Sequence, residues 1–185
     1  KIENPVPSLF SFNMPNESIT ELMGVVASNA TVNVQGTKLR SSGPLLITHW
    51  GMSGPAILKL SAYGARILSD RQYSFVAQVN WISTSNNEDV SEALRVLAAK
   101  HSKKHISNIK PFGLPTRLWD YILRKCEIPL EKSWGDIGKK QINKLVTHLT
   151  NDIYNVKGKT TFKEEFVTCG GVSLESIDIN TMQSR

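Results

Sequence analysis

The chain has 185 residues, enough for one domain of ordinary size or two small ones, and its 40% hydrophobic content supports a packed core and excludes general disorder. No apolar run reaches the roughly 20 residues needed to span a bilayer, and no charged-apolar-small leader opens the sequence. The formal net charge of +6 sits in the middle, where residues 86–160 hold fourteen Lys/Arg against eight Asp/Glu, the mark of an anionic partner or, more plainly, of a solvated helical face.

In chain order, "KIENPVPSLF" opens without methionine and "NTMQSR" closes without a terminal element, edges expected of a piece of a longer protein. "SLFSFNM" (residues 8–14) predicts a strand between turn signals. "ATVNVQG" alternates Val32 and Val34 with polar neighbours, a half-exposed strand, and "PLLITH" (residues 44–49) is apolar enough for a buried one. A helix is expected to follow Pro55, and "QYSFVAQVNW" (residues 72–81) alternates again. Asp89 and Glu92 resemble a capping box, after which Val90, Ala93, Leu94, Leu97 and Ala98 recur with helical spacing. "GLPTRLWDYILRKCEI" lines up Leu118, Ile122 and Lys125, and "DIGKKQINKLVTHLTND" lines up Ile142, Leu145, Val146 and Leu149. Residues 86–151 therefore read as a three- or four-helix unit. "DIYNVKG" and "EEFVTCGGV" return to strand character. The predicted class is α+β: a small antiparallel Greek-key-like β-barrel (residues 1–85 and 152–185) with an all-helical subdomain (86–151) inserted into it.

Three stretches are candidates for chemistry. "THWGMSGP" (residues 48–55) has the strand-turn-helix setting of a nucleophile elbow, but its second glycine comes one position early for G-x-S-x-G, and no acid pattern accompanies Ser53 and His49. No phosphate-binding G-x-x-x-x-G-K-[ST] or G-x-G-x-x-G occurs. What the loop offers is Ser53 as a helix cap, Pro55 in a first turn, and Gly51 and Gly54 for close backbone approach; a plain cap and a ligand-facing loop both fit. Gly170-Gly171 allows a tight turn or a backbone near a ligand. "KHSKKHISNIK" (residues 100–110) is basic without interleaved aromatics, and lysines at a helix end are accounted for by the helix dipole, so nucleic acid is not the expected partner and a basic nucleic-acid-binding module through the helical subdomain is the alternative reading. Cys126 and Cys169 have no metal-ligand spacing and read as reduced thiols of a cytoplasmic protein; His49, His101, His105 and His148 form no cluster, so no metal is expected.

Taken in order, "PSLFSF", "LLITHWGMSGPAILKLS" and "EEFVTCGGVSLESIDINTMQSR", with "GLPTRLW" between them, resemble the FAD-dependent oxidoreductases of the aminoacetone-oxidase/BaiN-like group along nearly the whole chain. The resemblance implies that this chain is the insert of a protein about twice its length, whose Rossmann-like FAD domain, absent here, carries the G-x-G-x-x-G fingerprint. FAD would be bound mainly by residues outside this chain, with NAD(P)H as reductant, the flavin domain as partner and a small molecule as substrate. The insert would cover the flavin, shape the substrate pocket and have little activity alone. Thr48, His49, Gly51, Ser53, Gly54 and Pro55 would sit near the isoalloxazine ring, with His49 the candidate catalytic residue, while Thr168, Gly170 and Gly171 would lie where the chain re-enters the flavin domain. One departure stands out: the group often has Gly-Glu before the strand entering Thr-His, and here it reads Gly43-Pro44.

Overall fold

The computed structural model describes residues 1–84, 86–160 and 167–185. The strands are β1 (Ile2–Pro7), β2 (Ser11–Asn13), β3 (Val26–Val34), β4 (Arg40–Thr48) and β5 (Gly51–Ser53). Two helices follow, α1 (Pro55–Tyr63) and α2 (Ala65–Asp70), then β6 (Ser74–Asn80). The helical stretch holds α3 (Asn87–Lys100), α4 (Thr116–Lys125) and α5 (Lys139–Thr150), with single 3-10 turns between them. The chain ends in β7 (Asp152–Lys157), β8 (Lys159–Thr160), β9 (Thr168–Val172), β10 (Ile177–Asp178) and β11 (Gln183–Ser184). Of the strand expected across "EEFVTCGGV", residues 164–166 lie outside the described residues.

Seven strands form one antiparallel sheet in the order β7-β6-β3-β4-β5-β2-β8. Its two edge strands are consecutive in the chain, so the sheet curls until Gly158, between them, touches both ends. The Gly158 N–H donates to the Tyr73 carbonyl at 2.8 Å, and its own carbonyl accepts from Asn13 N–H at 3.1 Å. A positive φ of 104° at this corner suits glycine. The α+β class with helices inserted in a curled antiparallel sheet is as the sequence predicts: α3, α4 and α5 all fall between β6 and β7, which pair directly. Alternation explains why β6 and β7 form as they do, since Phe75, Ala77 and Val79 bury on one side and Asp152, Tyr154 and Val156 on the other strand's inward phase. Pro44 is tolerated inside β4 because β3 bulges opposite it, pairing Ala27 with Leu45 and Ala30 with Gly43.

Several local expectations need correction. The helix after β6 begins at Asn87 with Asn86 as cap, its side chain accepting the Glu88 N–H at 3.0 Å, so Asp89 is a first-turn residue rather than the cap. The helix after Pro55 breaks at Gly64, where a Cβ would come within 2.6 Å of Leu39 Cδ1. The predicted strand over 8–14 shrinks to Ser11–Asn13, because Leu9 takes a left-handed φ of 56°. Both chain ends carry structure that periodicity does not show: β1 pairs with β9 as a separate two-stranded ribbon, Ile2 facing Val172 and Pro7 facing Thr168. Trp119 and Trp134 are fully buried and stacked, their centroids 6.3 Å apart, under the helical stretch.

Candidate functional site

The loop singled out in the sequence is a strand, a two-residue turn, a second strand and a helix. β4 ends at Thr48, His49 and Trp50 turn, and β5 pairs back with Thr48 facing Gly51 and Leu46 facing Ser53. Thr48 is buried, and its Oγ1 accepts the Gly51 N–H at 3.2 Å. From the far side, Met14 N–H donates to the Trp50 carbonyl at 2.7 Å. His49 is left exposed at the tip, its ring edge-on to Trp50 with centroids 4.2 Å apart.

Ser53 does not cap the helix. Strand pairing with Leu46 holds it in β5, and Gly54 (φ 89°) takes the cap position with no side-chain hydrogen bond, Pro55 opening α1. The Ser53 hydroxyl instead accepts from Ser11 Oγ at 2.7 Å. Among the described residues no histidine or carboxylate bonds to it, so a working hydrolase triad has no base here.

The glycines approach this chain's own backbone. A Cβ on Gly51 would lie 2.2 Å from the Phe12 carbonyl oxygen, and one on Gly54 would lie 2.9 Å from Leu46 N and 3.0 Å from Pro44 O. Gly170 is no turn residue either. It sits inside β9 opposite the irregular step between Glu3 and Val6 of β1, where a Cβ would meet Asn4 O at 2.7 Å. Gly171 differs, with φ of 114° and open space where a side chain would be. The two glycine-bearing segments belong to different sheets, the first to the curled sheet and the second to the β1/β9 ribbon. A cleft of about 430 Å³ runs along that ribbon, bordered by Glu3, Arg66, Cys169, Gly170, Leu174 and Glu175; none of Thr48 to Gly54 borders it.

Both hydroxyls, Thr48 and Ser53, and three of the glycines are thus engaged within the chain. Exposed His49 and Thr168 and the open face of Gly171 are what could meet a flavin. Among the described residues no phosphate cradle accompanies that set, so it does not fit a holder of FAD.

A second cluster was missed by sequence reading. Asp152, fully buried at the start of β7, joins α4, α5, β7 and Trp81, the residue after β6. Its Oδ1 accepts Lys125 Nζ of α4 at 2.6 Å and lies 2.9 Å from His148 Nδ1 of α5, which carries the proton because it faces an acceptor. Its Oδ2 accepts Trp81 Nε1 at 3.1 Å and the Tyr154 hydroxyl. Burial pushes the carboxyl up, but the His148 bond, the Lys125 charge and bond, and the Tyr154 hydroxyl together hold it below the usual range. Burial and then the Asp152 charge push the Tyr154 phenol well up, and the same pair raises the Cys126 thiol to about 12. The missed signal was the strand phase: Asp152 shares the inward face with Tyr154 and Val156, and an inward acid needs cations. With Lys125 also 4.4 Å above the Tyr154 ring, the cluster bolts α4 and α5 to the sheet.

Residues 6–167 match the family described as "HI0933-like protein barrel and H2TH domain". The chain is similar to a protein named ribosomal RNA dihydrouridine synthase in Escherichia coli (strain K12), 28% identical over 91% of this chain and 39% of the relative. It is also similar to the protein of the same name in Haemophilus influenzae, 24% identical over 95% of this chain and 40% of the relative. The chain thus spans about two fifths of the length of the curated relatives it matches.

Proposed function

Because the chain belongs to the HI0933-like barrel and H2TH domain family, we propose that it is the flavin-covering, substrate-side part of a cytoplasmic FAD-dependent reductase that acts on ribosomal RNA. The resemblance of "THWGMSGP" and "VTCGGV" to aminoacetone-oxidase/BaiN-like flavoproteins supports the flavin. The relatives' printed name supports RNA in the place of a small-molecule substrate. Making dihydrouridine from uridine adds a hydride and a proton across one ring double bond; a reduced flavin held outside this chain and re-reduced by NAD(P)H would supply the hydride, and an acid at the site or water the proton.

The observation that carries the covering role is an apolar band on the β1/β9 ribbon and the segment after it. Ile2 (75% exposed) and its strand partner Val172 (61%) are exposed, as are Leu174 (72%), Ile179 (68%) and Met182 (77%). Exposed apolar surface of this kind suits an interface, and the Rossmann-like FAD domain that the resemblance implies would be its occupant. In that arrangement Thr48 and Gly51 hold the turn, His49 presents its imidazole to substrate or cofactor, and the closed face excludes water from the transfer.

The isolated chain is expected to show no FAD binding in the micromolar range and no NAD(P)H oxidation when titrated by flavin fluorescence. Micromolar binding accompanied by turnover would overturn the covering role.

A further inference from the structure

We propose that the lysines of residues 100–110, with Lys139 at the start of α5, form a docking face for the phosphate backbone of folded ribosomal RNA. This rests on the RNA substrate proposed above and names the surface of the chain that would receive it.

Residues 100–110 contain Lys100, Lys103, Lys104 and Lys110 and no carboxylate. The stretch is laid against residues 130–135 by Gly135 N–H to Ser102 O at 2.9 Å, Trp134 N–H to Lys104 O at 2.9 Å and Ile106 N–H to Lys132 O at 2.8 Å. That pairing ties the lysine run to the segment that leads, four residues after Gly135, into α5 with Lys139 and Lys140. Beneath it, Trp119 Nε1 donates to Ile106 O at 3.0 Å, so the lysines stand on a fixed backbone.

Their charges are also uncommitted. Elsewhere in the helical stretch Arg95 pairs with Glu92, Lys144 with Glu127 and Lys125 with Asp152. Among the described residues, exposed Lys100, Lys103, Lys104, Lys110 and Lys139 enter no ion pair. Glu131 and Asp136 are the acids on the facing stretch, and they leave the face net basic. Exposed cations without carboxylate partners are complementary to backbone phosphates. Residues 100–110 hold no Phe, Tyr or Trp, only the small imidazoles of His101 and His105, and this favours one kind of RNA: single-strand readers stack bases mainly on large rings, whereas double-helical RNA is recognised through backbone and shape.

The test is binding of the chain to a fluorescently labelled RNA duplex of about 16 base pairs, followed by anisotropy at several salt concentrations. The Lys103→Glu/Lys104→Glu variant is expected to bind about 10-fold or more weakly than wild type, with a salt slope smaller by about 2. Reversal of the same number of exposed charges on the sheet, Lys38→Glu/Arg40→Glu, is expected to leave affinity within about 2-fold once corrected for net charge. Both variants should retain the wild-type melting temperature, since the side chains changed are exposed. No binding by wild type, equal losses in the two variants, or preference for a single strand of the same length would each overturn the docking face. In the full-length protein the Lys103→Glu/Lys104→Glu variant should keep its flavin spectrum while reduction of ribosomal RNA falls; a lost flavin spectrum would count against the covering role instead.

Discussion

Replacing Asp152 with alanine is expected to lower the stability of the fold by about 3–5 kcal/mol, the usual cost of removing one partner from a buried charge cluster. Among the described residues Asp152 is the only carboxylate paired with Lys125 and His148, and it also takes the Trp81 and Tyr154 donors. Alanine removes the shared acceptor of all four groups. Asp152→Asn should cost less, because an amide oxygen still accepts from two of the donors but cannot balance Lys125. Urea unfolding at neutral pH checks both, and a loss below about 1 kcal/mol for alanine would show that the cluster does not bolt the helices to the sheet. The pH dependence has a definite sign. The folded carboxyl titrates below its unfolded value of about 3.9. Its contribution is therefore complete above that value and is lost as pH falls through the folded one. Wild type should lose more stability than Asp152→Asn between pH 5 and strongly acidic solution.

Gly51→Ala is expected to cost about 2–4 kcal/mol, because the new methyl would sit 2.2 Å from Phe12 O and 3.0 Å from Met14 N, both fixed backbone atoms. Neither can move without breaking the β2–β5 pairing of Phe12 with Met52 and Asn13 with Gly51. Gly171→Ala, by contrast, meets nothing within 4 Å and should cost only the strain of a positive φ, of order 1 kcal/mol. Thermal unfolding of the two variants side by side separates a glycine required by packing from one required only by backbone angle. Equal, small shifts would mean that the turn is not held against β2.

The parts of the fold legible in the sequence are those with local periodicity. Alternation marks β6, and helical spacing marks the buried stripes of α3 and α5 through Val90, Leu94, Ile142, Leu145 and Leu149. What the sequence hides is non-local. The β1/β9 ribbon joins residues 2 and 172: "EEFVTCGGV" reads as a strand, but its partner Ile2–Pro7, with two prolines in six residues, carries no strand signal, and their pairing is not legible. At the candidate site, the glycines of "GMSGP" announce close approach, but only the fold shows that the atoms approached are Phe12 O and Leu46 N. Ser53 illustrates competition: its sequence neighbours favour a cap, and pairing with Leu46 overrides them. Lys125 and Asp152 find each other across 27 residues, a partnership no motif records.

If the Thr48–Gly54 turn meets a flavin held by sequence outside this chain, backbone hydrogen exchange in the full-length protein should report it. With flavin bound rather than stripped, exchange is expected to slow at His49 and Trp50 and along Thr168–Gly171, while residues 100–110 stay unchanged. Flavin-dependent protection that spares both segments would contradict the covering role.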